Sequence, residues 1–245
     1  MATFTSFSNV LPDPIRRITD QGDIDPSGVA GPGFSGVRFS SNQDTQVSRT
    51  NSGRGVHRDQ ESQFWSFTIR YNPMLREQFD PVDAFLAGRN ARKDPFFVVL
   101  PQYSRPKNPS FAAYLSQYDA LVAGTYASGT SAFMMRMSGG ATMLYPPRPG
   151  DMFTVTDPAN VNHLKVYKVT AVETNARYQQ GKTQPNINQC RIHISPALQR
   201  TTYNDAKINF LDPMFRVIAK SDVREYDLDT ENLYSFSLDV EEIQP

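Results

Sequence analysis

The sequence has little of what secreted, membrane-spanning or strongly charged proteins carry. Cys190 is the single cysteine, which excludes an intrachain disulfide and fits synthesis in a reducing cytoplasm. Basic and acidic residues number 25 each, and this zero net charge disfavours general nucleic-acid binding, because proteins that neutralise phosphates are usually basic. No apolar run approaches the roughly 20 residues of a membrane helix. The first nine residues lack a basic start and an apolar segment, so neither membrane insertion nor a secretory signal is expected.

Two long aromatic stretches, residues 63–71 and 233–243, alternate apolar with polar side chains. A period of two predicts strands with one buried face and one solvated face. Because both stretches are long and patterned alike, we expect them to belong to one sheet and to share a core. The predicted members of that core are Trp65, Phe67, Tyr234, Phe236 and Leu238.

One helix is predicted near residues 80–91, where Asp80 can cap it and Pro81 suits the first helical position. Its apolar residues fall on one face, so it is expected to lie across a sheet. Other short apolar or alternating runs are bounded by turn-forming residues and predict strands. These runs are residues 96–100, 132–137, 152–156, 165–172, 189–194 and 213–219.

The predicted fold class is mainly β, with a β-sandwich or barrel core and one helix packed on it. Residues 56–118 and 203–245 are predicted to form this discontinuous core, with residues 119–202 as an inserted small β module. Residues 1–55 are rich in turn formers and poor in apolar pairs, so burial cannot offset their ordering entropy. They are predicted to form an extended N-terminal arm that orders on a neighbouring subunit; a floppy tail is the alternative.

The sequence contains no pattern that predicts catalysis, a metal site or a cofactor. His163, Cys190 and His193 fall short of the four ligands of a closed zinc site. Cys190 and His193 are also three apart on a predicted strand and should face opposite sides. Residues 31–36 match G-x-G-x-x-G as a string, but no strand precedes them and no helix follows, so they predict a flexible loop. A non-enzymatic protein without cofactors is expected.

The order of several soft motifs resembles tail-tip or baseplate structural proteins of tailed bacteriophages, in the style of distal tail proteins. The resemblance covers roughly residues 50–245. In chain order the motifs are Ser52-Gly-Arg54, Phe64-Trp-Ser-Phe67, Tyr71-Asn-Pro-Met-Leu-Arg76, a helix with Ala84-Phe-Leu86, Pro95-Phe-Phe-Val-Val-Leu-Pro101, Pro149-Gly-Asp-Met-Phe-Thr-Val155, Lys165-Val-Tyr-Lys-Val-Thr170 and Tyr234-Ser-Phe-Ser-Leu-Asp-Val-Glu-Glu242.

This resemblance implies a virion structural protein that oligomerises, usually as a hexameric ring around the tail channel. Such a ring at the distal end of the tail links the tail tube to the hub or the receptor-binding apparatus. The implied partners are other copies of the chain, the tail tube, the hub and other baseplate proteins. The implied location is the virion tail, after assembly in the host cytoplasm.

Five arginines in the N-terminal part are candidate subunit-interface residues, because forked guanidinium groups suit contacts between subunits. Solvated arginines on a mobile tail are the alternative reading of each one. The five are Arg16, Arg17, Arg49, Arg54 and Arg58.

A second hypothesis for function is a virion module that binds carbohydrate or a receptor. Its expected signature is aromatic side chains on polar loops, which the sequence shows only weakly. The candidates are Tyr103, Tyr118, Tyr126 and Tyr178.

Overall fold

The computed structural model describes residues 9–17, 19, 25–43, 45–59, 63–89, 92–221 and 225–244, with backbone alone at 45–47 and 56–59. These residues fold as two compact units. The first comprises the described residues of Met1–Val98 with Arg216–Ile243, and the second comprises those of Val99–Phe215 with Gln244–Pro245.

Fourteen strands and two α-helices make up the regular structure of the described residues. In chain order they are β1 Phe34–Asn42, β2 Thr45–Arg49, β3 Gly55–Asp59, β4 Phe64–Tyr71, α1 Arg76–Ala87, β5 Phe96–Val99, α2 Pro109–Tyr114, β6 Ala120–Val122, β7 Ala132–Met137, β8 Met152–Thr156, β9 Val166–Glu173, β10 Gln189–Ser195, β11 Lys207–Asn209, β12 Met214–Ala219, β13 Tyr226–Leu228 and β14 Tyr234–Glu242. The mainly β fold class predicted from the sequence is confirmed.

The first unit is built on an open sheet of order β1-β4-β14-β12-β5, in which β13 also pairs with β14. The two aromatic strands β4 and β14 are antiparallel neighbours, with Leu238 opposite Ile69 and Val240 opposite Phe67. Their pairing confirms the prediction of a shared sheet. The core members Trp65, Phe67, Phe236 and Leu238 are buried. Tyr234 is half-buried and stacks on Phe79 at 4.8 Å between ring centroids.

Strand β1 lies inside the segment for which an arm is predicted, and it runs along β4. Phe39 is opposite Phe67, and its ring stacks on Trp65 at 5.0 Å. The prediction of a flexible loop at residues 31–36 is therefore wrong, because Gly36 is part of β1 and Gly31 is buried. A Cβ atom on Gly31 would lie 2.7 Å from the carbonyl carbon of Pro12, so this glycine allows two backbone segments to approach closely.

Helix α1 begins about one turn before Asp80 and Pro81. The predicted start at these two residues and the predicted range 80–91 are therefore wrong. Leu75 is the N-cap, in an extended conformation without a side-chain cap. Phe79 is 3% exposed and contacts the rings of Tyr226 and Tyr234. Packing of this residue on the sheet stabilises the first turn, which outweighs the local capping signal further along.

Part of the N-terminal segment is packed within its own unit. Val10 forms a parallel bridge with Phe97, and the N–H of Leu11 donates to the carbonyl of Phe97 at 2.8 Å. Leu11 is 1% exposed. The predicted role of residues 1–55 as an arm between subunits concerns assembly and stays a prediction.

The second unit is a closed barrel of order β10-β7-β6-β11-β8-β9. Aromatic rings fill its interior: Phe153 lies 5.1 Å from Phe210 and 5.7 Å from Tyr167 between centroids. Helix α2 adds Phe111, which is fully buried and meets Phe210 edge to face at 5.1 Å. Strands β7 to β10 confirm the strands predicted there. The predicted domain limits concern independent folding and stay a prediction.

Candidate subunit interface

Strands β2 and β3 form a two-stranded hairpin, which lies between β1 and β4 in the sequence. Its turn is local: the N–H of Gly53 donates to the carbonyl of Thr50 at 2.8 Å, and Gly53 adopts a φ of 78° that favours glycine. Within the described residues the hairpin pairs with no other strand. A lone two-stranded hairpin is marginally stable in water, so we expect this one to gain stability from a further contact.

The hairpin carries three of the five candidate arginines. Arg49 ends β2 and Arg54 lies in the turn, and both are exposed. Neither guanidinium group has a hydrogen bond or an ion pair among the described residues. Arg58 is placed in β3, and its side chain lies outside the described residues. The hairpin, residues 45–59, contains three arginines and one acidic residue, Asp59, so its formal charge is positive.

The other two candidates, Arg16 and Arg17, differ in their surroundings. Arg16 is 9% exposed, and its Nη1 lies 2.5 Å from Oδ2 of Asp13 in the same chain. Oδ1 of Asp13 also accepts the backbone N–H of Arg16 at 2.7 Å. Arg17 is exposed and donates to the carbonyl of Pro26 at 3.4 Å. Arg16 thus stabilises its own unit, and a role in assembly stays a prediction for all five arginines.

Among the described residues of this unit, β1 and β13 each have one side that pairs with no strand. Strand β1 ends the sheet, with eight of its nine residues paired to β4 and to no other strand in the described part of the chain. Strand β13 is paired on one side, to β14, through Tyr226 opposite Phe236 and Leu228 opposite Tyr234. A free strand edge presents backbone N–H and C=O groups that another chain can pair with.

The residues considered for metal binding occupy different environments. Cys190 faces the barrel core, where burial raises the pKa of its thiol to about 12, so the thiol stays protonated and unreactive. His193 lies on the other face of β10, as predicted, with Nε2 2.6 Å from Oε1 of Glu173. Among the described residues there is no group of three or more His, Cys, Asp or Glu side chains that could hold a metal ion.

His163 is buried in the second unit. Its Nε2 lies 2.7 Å from the hydroxyl of Tyr167, which accepts the N–H of Gln199 at 3.0 Å. Which of the two groups donates in this contact depends on the tautomer of the imidazole. Burial lowers the pKa of His163 to about 4, with the charge of Asp157 opposing the shift and that of Arg200 adding to it. This histidine is neutral at pH 7.

A charged cluster centred on Glu173 was not predicted from the sequence. Its carboxylate accepts from Nη1 of Arg191 at 2.7 Å, in addition to the contact with His193. Arg191 also donates to the carbonyl of Thr183, and Gln179 donates its backbone N–H to Glu173. Burial acts to raise the pKa of Glu173, but these hydrogen bonds and the charge of Arg191 lower it overall. The cluster fastens the loop between β9 and β10 to the barrel.

The tyrosines considered for ligand binding are placed in different ways. The hydroxyl of Tyr126 donates to the carbonyl of Ala123 and accepts the N–H of Met134, so it supports the barrel. Tyr178 is 42% exposed and Tyr103 is half-buried. Tyr118 lines a cavity of about 250 Å³ in the second unit. The hypothesis of carbohydrate or receptor binding stays a prediction.

Among the described residues, none of the helices combines the length and the apolar character that crossing a membrane requires.

Comparison with known proteins places a family match on the first unit. Residues 22–103, about a third of the chain, match the family described as distal tail protein pb9, A domain, N-terminal. This range begins before β1 and ends after β5, so it includes the hairpin and the edge of β1. A search of curated proteins found no match. The resemblance to phage distal tail proteins predicted from the sequence is therefore confirmed, and it implies a structural role at the tip of a phage tail.

Proposed function

We propose that the chain is a subunit of a homo-oligomeric ring, a hexamer, at the distal end of a phage tail. The ring links the tail tube to the hub or the receptor-binding apparatus and has no catalytic role. The observation that supports this most is the hairpin of β2 and β3, which projects from the family-matched region without pairing to another strand in the described part of the chain.

The hairpin and the free edges favour contacts between copies on physical grounds. Burial against a neighbour would stabilise a hairpin that is marginal by itself. An edge strand such as β1 offers a row of backbone donors and acceptors to a neighbour. A contact between two different surfaces of the same chain repeats from copy to copy, and it closes into a ring where the rotation allows.

The proposed partners follow from the proposed place in the virion. Above and below the ring, the chain contacts the tail tube, the hub and other baseplate proteins, after assembly in the host cytoplasm. Its zero net charge is in keeping with protein partners and with no sequence-specific nucleic-acid contact.

The hairpin can be removed without opening the sheet, which gives a direct test. Because Asn42 is opposite Phe64, replacing residues 44–62 with Asn-Gly lets Gln43 and Gln63 flank a tight two-residue turn. We expect this variant to keep the circular dichroism spectrum and the melting temperature of the full chain but to stay monomeric. Mass measurement in solution then compares the two proteins over the same concentration range.

Two outcomes would count against the proposal, and they are distinct. If the full chain stays monomeric even with its tail partners present, the ring itself is wrong. If the full chain assembles and the shortened variant assembles equally well, the ring stands and the hairpin does not hold it together.

A further inference from the structure

Strand β13 is an edge strand with an exposed apolar surface. Tyr226 is 52% exposed and Leu228 is 53% exposed. The ring of Tyr226 lies 5.0 Å from Phe79 and 5.6 Å from Tyr234 between centroids. Phe79 and Tyr234 pack against one side of the Tyr226 ring, and about half of the Tyr226 surface stays exposed to solvent.

The segment around β13 is strongly acidic. Residues 225–231 contain four acidic residues and no basic one: Glu225, Asp227, Asp229 and Glu231. Asp229 accepts the backbone N–H groups of Glu231 and Leu233 at 2.9 and 2.8 Å, so it fixes a turn. Within the described residues, the carboxylates of the other three have no hydrogen bond or ion pair. They are available to an incoming cation.

The chain carries a surface of the opposite sign on its own hairpin. Residues 45–59 hold Arg49, Arg54 and Arg58 and one acidic residue, Asp59. Arg49 and Arg54 are exposed and have no side-chain partner in the described part of the chain. Among the described residues, the hairpin has no neighbouring strand and β13 has none on its outer side. The two surfaces are therefore opposite in charge, and each has a strand edge that is unpaired among the described residues.

We propose that the edge of β13 in one copy receives the β2–β3 hairpin of the next copy, with Arg49 and Arg54 against Glu225, Asp227 and the ring of Tyr226. This proposal rests on the proposed function and names the surface through which the ring forms. Guanidinium groups suit it because they bind carboxylates with two parallel hydrogen bonds and also stack on aromatic faces. Exposed ion pairs contribute little alone, so burial of Tyr226 and Leu228 supplies the apolar part of the contact.

Because the two surfaces differ, each copy gives its hairpin to one neighbour and receives a hairpin from the other. This is a heterologous contact, which forms rings when the rotation closes. A like-charge contact at the same place would oppose assembly, and this allows charge reversal to test which surfaces face each other.

Two variants reverse the two surfaces separately: R49E/R54E on the hairpin and E225K/D227K beside β13. The measurement is the oligomer mass over a dilution series by mass photometry or sedimentation. We expect each variant to raise the dissociation concentration by at least about tenfold, because like charges then meet. The four substitutions in one chain restore opposite signs with the original net charge, and we expect assembly to return.

A matched control places the same charge change elsewhere. R177E/K182E reverses two exposed residues of the loop between β9 and β10 in the second unit. It should assemble as the unaltered chain does. An equal mixture of R49E/R54E with E225K/D227K should form closed rings that contain both, because every contact between the two variants pairs opposite charges. A ring of R177E/K182E that includes E225K/D227K contains a like-charge contact and should not close, although the charge change in R177E/K182E equals that in R49E/R54E.

The outcomes separate this proposal from the proposed function. If the unaltered chain does not assemble with its tail partners present, both are wrong. If it assembles and either charge-reversed variant assembles as well as the control, only the docking of the hairpin on β13 is wrong. If both variants lose assembly while keeping their circular dichroism spectra, and the fourfold variant does not recover it, the two surfaces do not face each other.

Discussion

The open sheet of the first unit and the closed barrel of the second differ in whether their strands have unpaired edges. Every strand of the barrel has a neighbour on both sides, and aromatic rings fill its interior. The sheet ends in β1, carries β13 with one side free, and sends out a hairpin that pairs with nothing else among the described residues. A closed barrel has no free strand edge, whereas a free edge presents backbone N–H and C=O groups that another chain can pair with. The surfaces that we propose for assembly therefore lie in the first unit, where the family match also lies.

The largest expected effect distinguishes the packed barrel from the edge of the sheet. Phe153 is fully buried among other rings, so Phe153→Ala should lower the free energy of unfolding by about 3–5 kcal/mol. Phe39 on edge strand β1 is half-buried, and Phe39→Ala should cost about 1 kcal/mol by the same reasoning. Urea unfolding followed by circular dichroism measures both. Equal losses would mean that the sheet edge is packed as tightly as the barrel.

Within the sheet, the shared core of β4 and β14 can be tested in the same way. Phe236 is 8% exposed and packs on Phe79 at 5.8 Å between centroids, so Phe236→Ala should cost about 3–5 kcal/mol. The measurement is again the free energy of unfolding, with Phe39→Ala as the matched substitution. A loss below that of Phe39→Ala would contradict a core shared by the two strands.

The two aromatic strands and β7 to β10 are predictable because each keeps an unbroken pattern of apolar residues. Strand β1 is not, since its register shifts between Phe34 and Gly36, and this bulge breaks the alternation that runs on through Val37 and Phe39. The three-residue strands β6, β11 and β13 are too short to show a period. Helix α2 had a usable signal in Asn108 and Pro109, because the Asn108 side chain caps the helix and proline follows at the first position.

The candidate site is harder to predict than the strands. Arg49 and Arg54 are candidates from the sequence because guanidinium groups suit contacts between subunits. Only the pairing of β2 with β3 shows that they lie on a hairpin. Arg16 shows the opposite case, because its ion pair with Asp13 depends on a turn that composition does not reveal. The Glu173 cluster depends on the cross-strand pairing of Glu173 with Arg191, which is a property of register.

The barrel should respond to acid in a range where the sheet has no matching group among the described residues. His163 has a folded pKa of about 4 against 6.5 for an ordinary histidine. The unfolded chain therefore binds its proton more tightly, and stability present above about pH 6.5 is lost as the pH falls towards 4. The loss should reach about 3 kcal/mol. Unfolding free energies at a series of pH values measure it.

His163→Asn serves as the control for this pH dependence, since asparagine does not titrate. The difference in pH slope between the two proteins isolates the histidine from the carboxylates. Glu173 acts in a lower range, because its depressed pKa gives stability that is lost only as the pH falls below 4.5. Identical slopes above pH 5 in both proteins would show that His163 is not buried in its neutral form.

The smallest effect on stability is expected at the loop between β9 and β10. Glu173→Gln removes the charge that Arg191 and His193 contact, and it should cost about 1–2 kcal/mol. Hydrogen exchange should quicken in residues 174–188 and leave the open sheet unchanged. Faster exchange throughout the barrel would show that the cluster supports the barrel strands and not the loop alone.

The most direct test of the central claim is the mass of the unaltered chain in solution, measured by native mass spectrometry over a range of concentrations and with its tail partners present. We expect a hexamer of about 166 kDa, six times the 27.6 kDa of one chain. We expect this species to disappear when residues 44–62 are replaced by Asn-Gly while both units stay folded. A mass of 27.6 kDa under every condition would contradict the proposed ring.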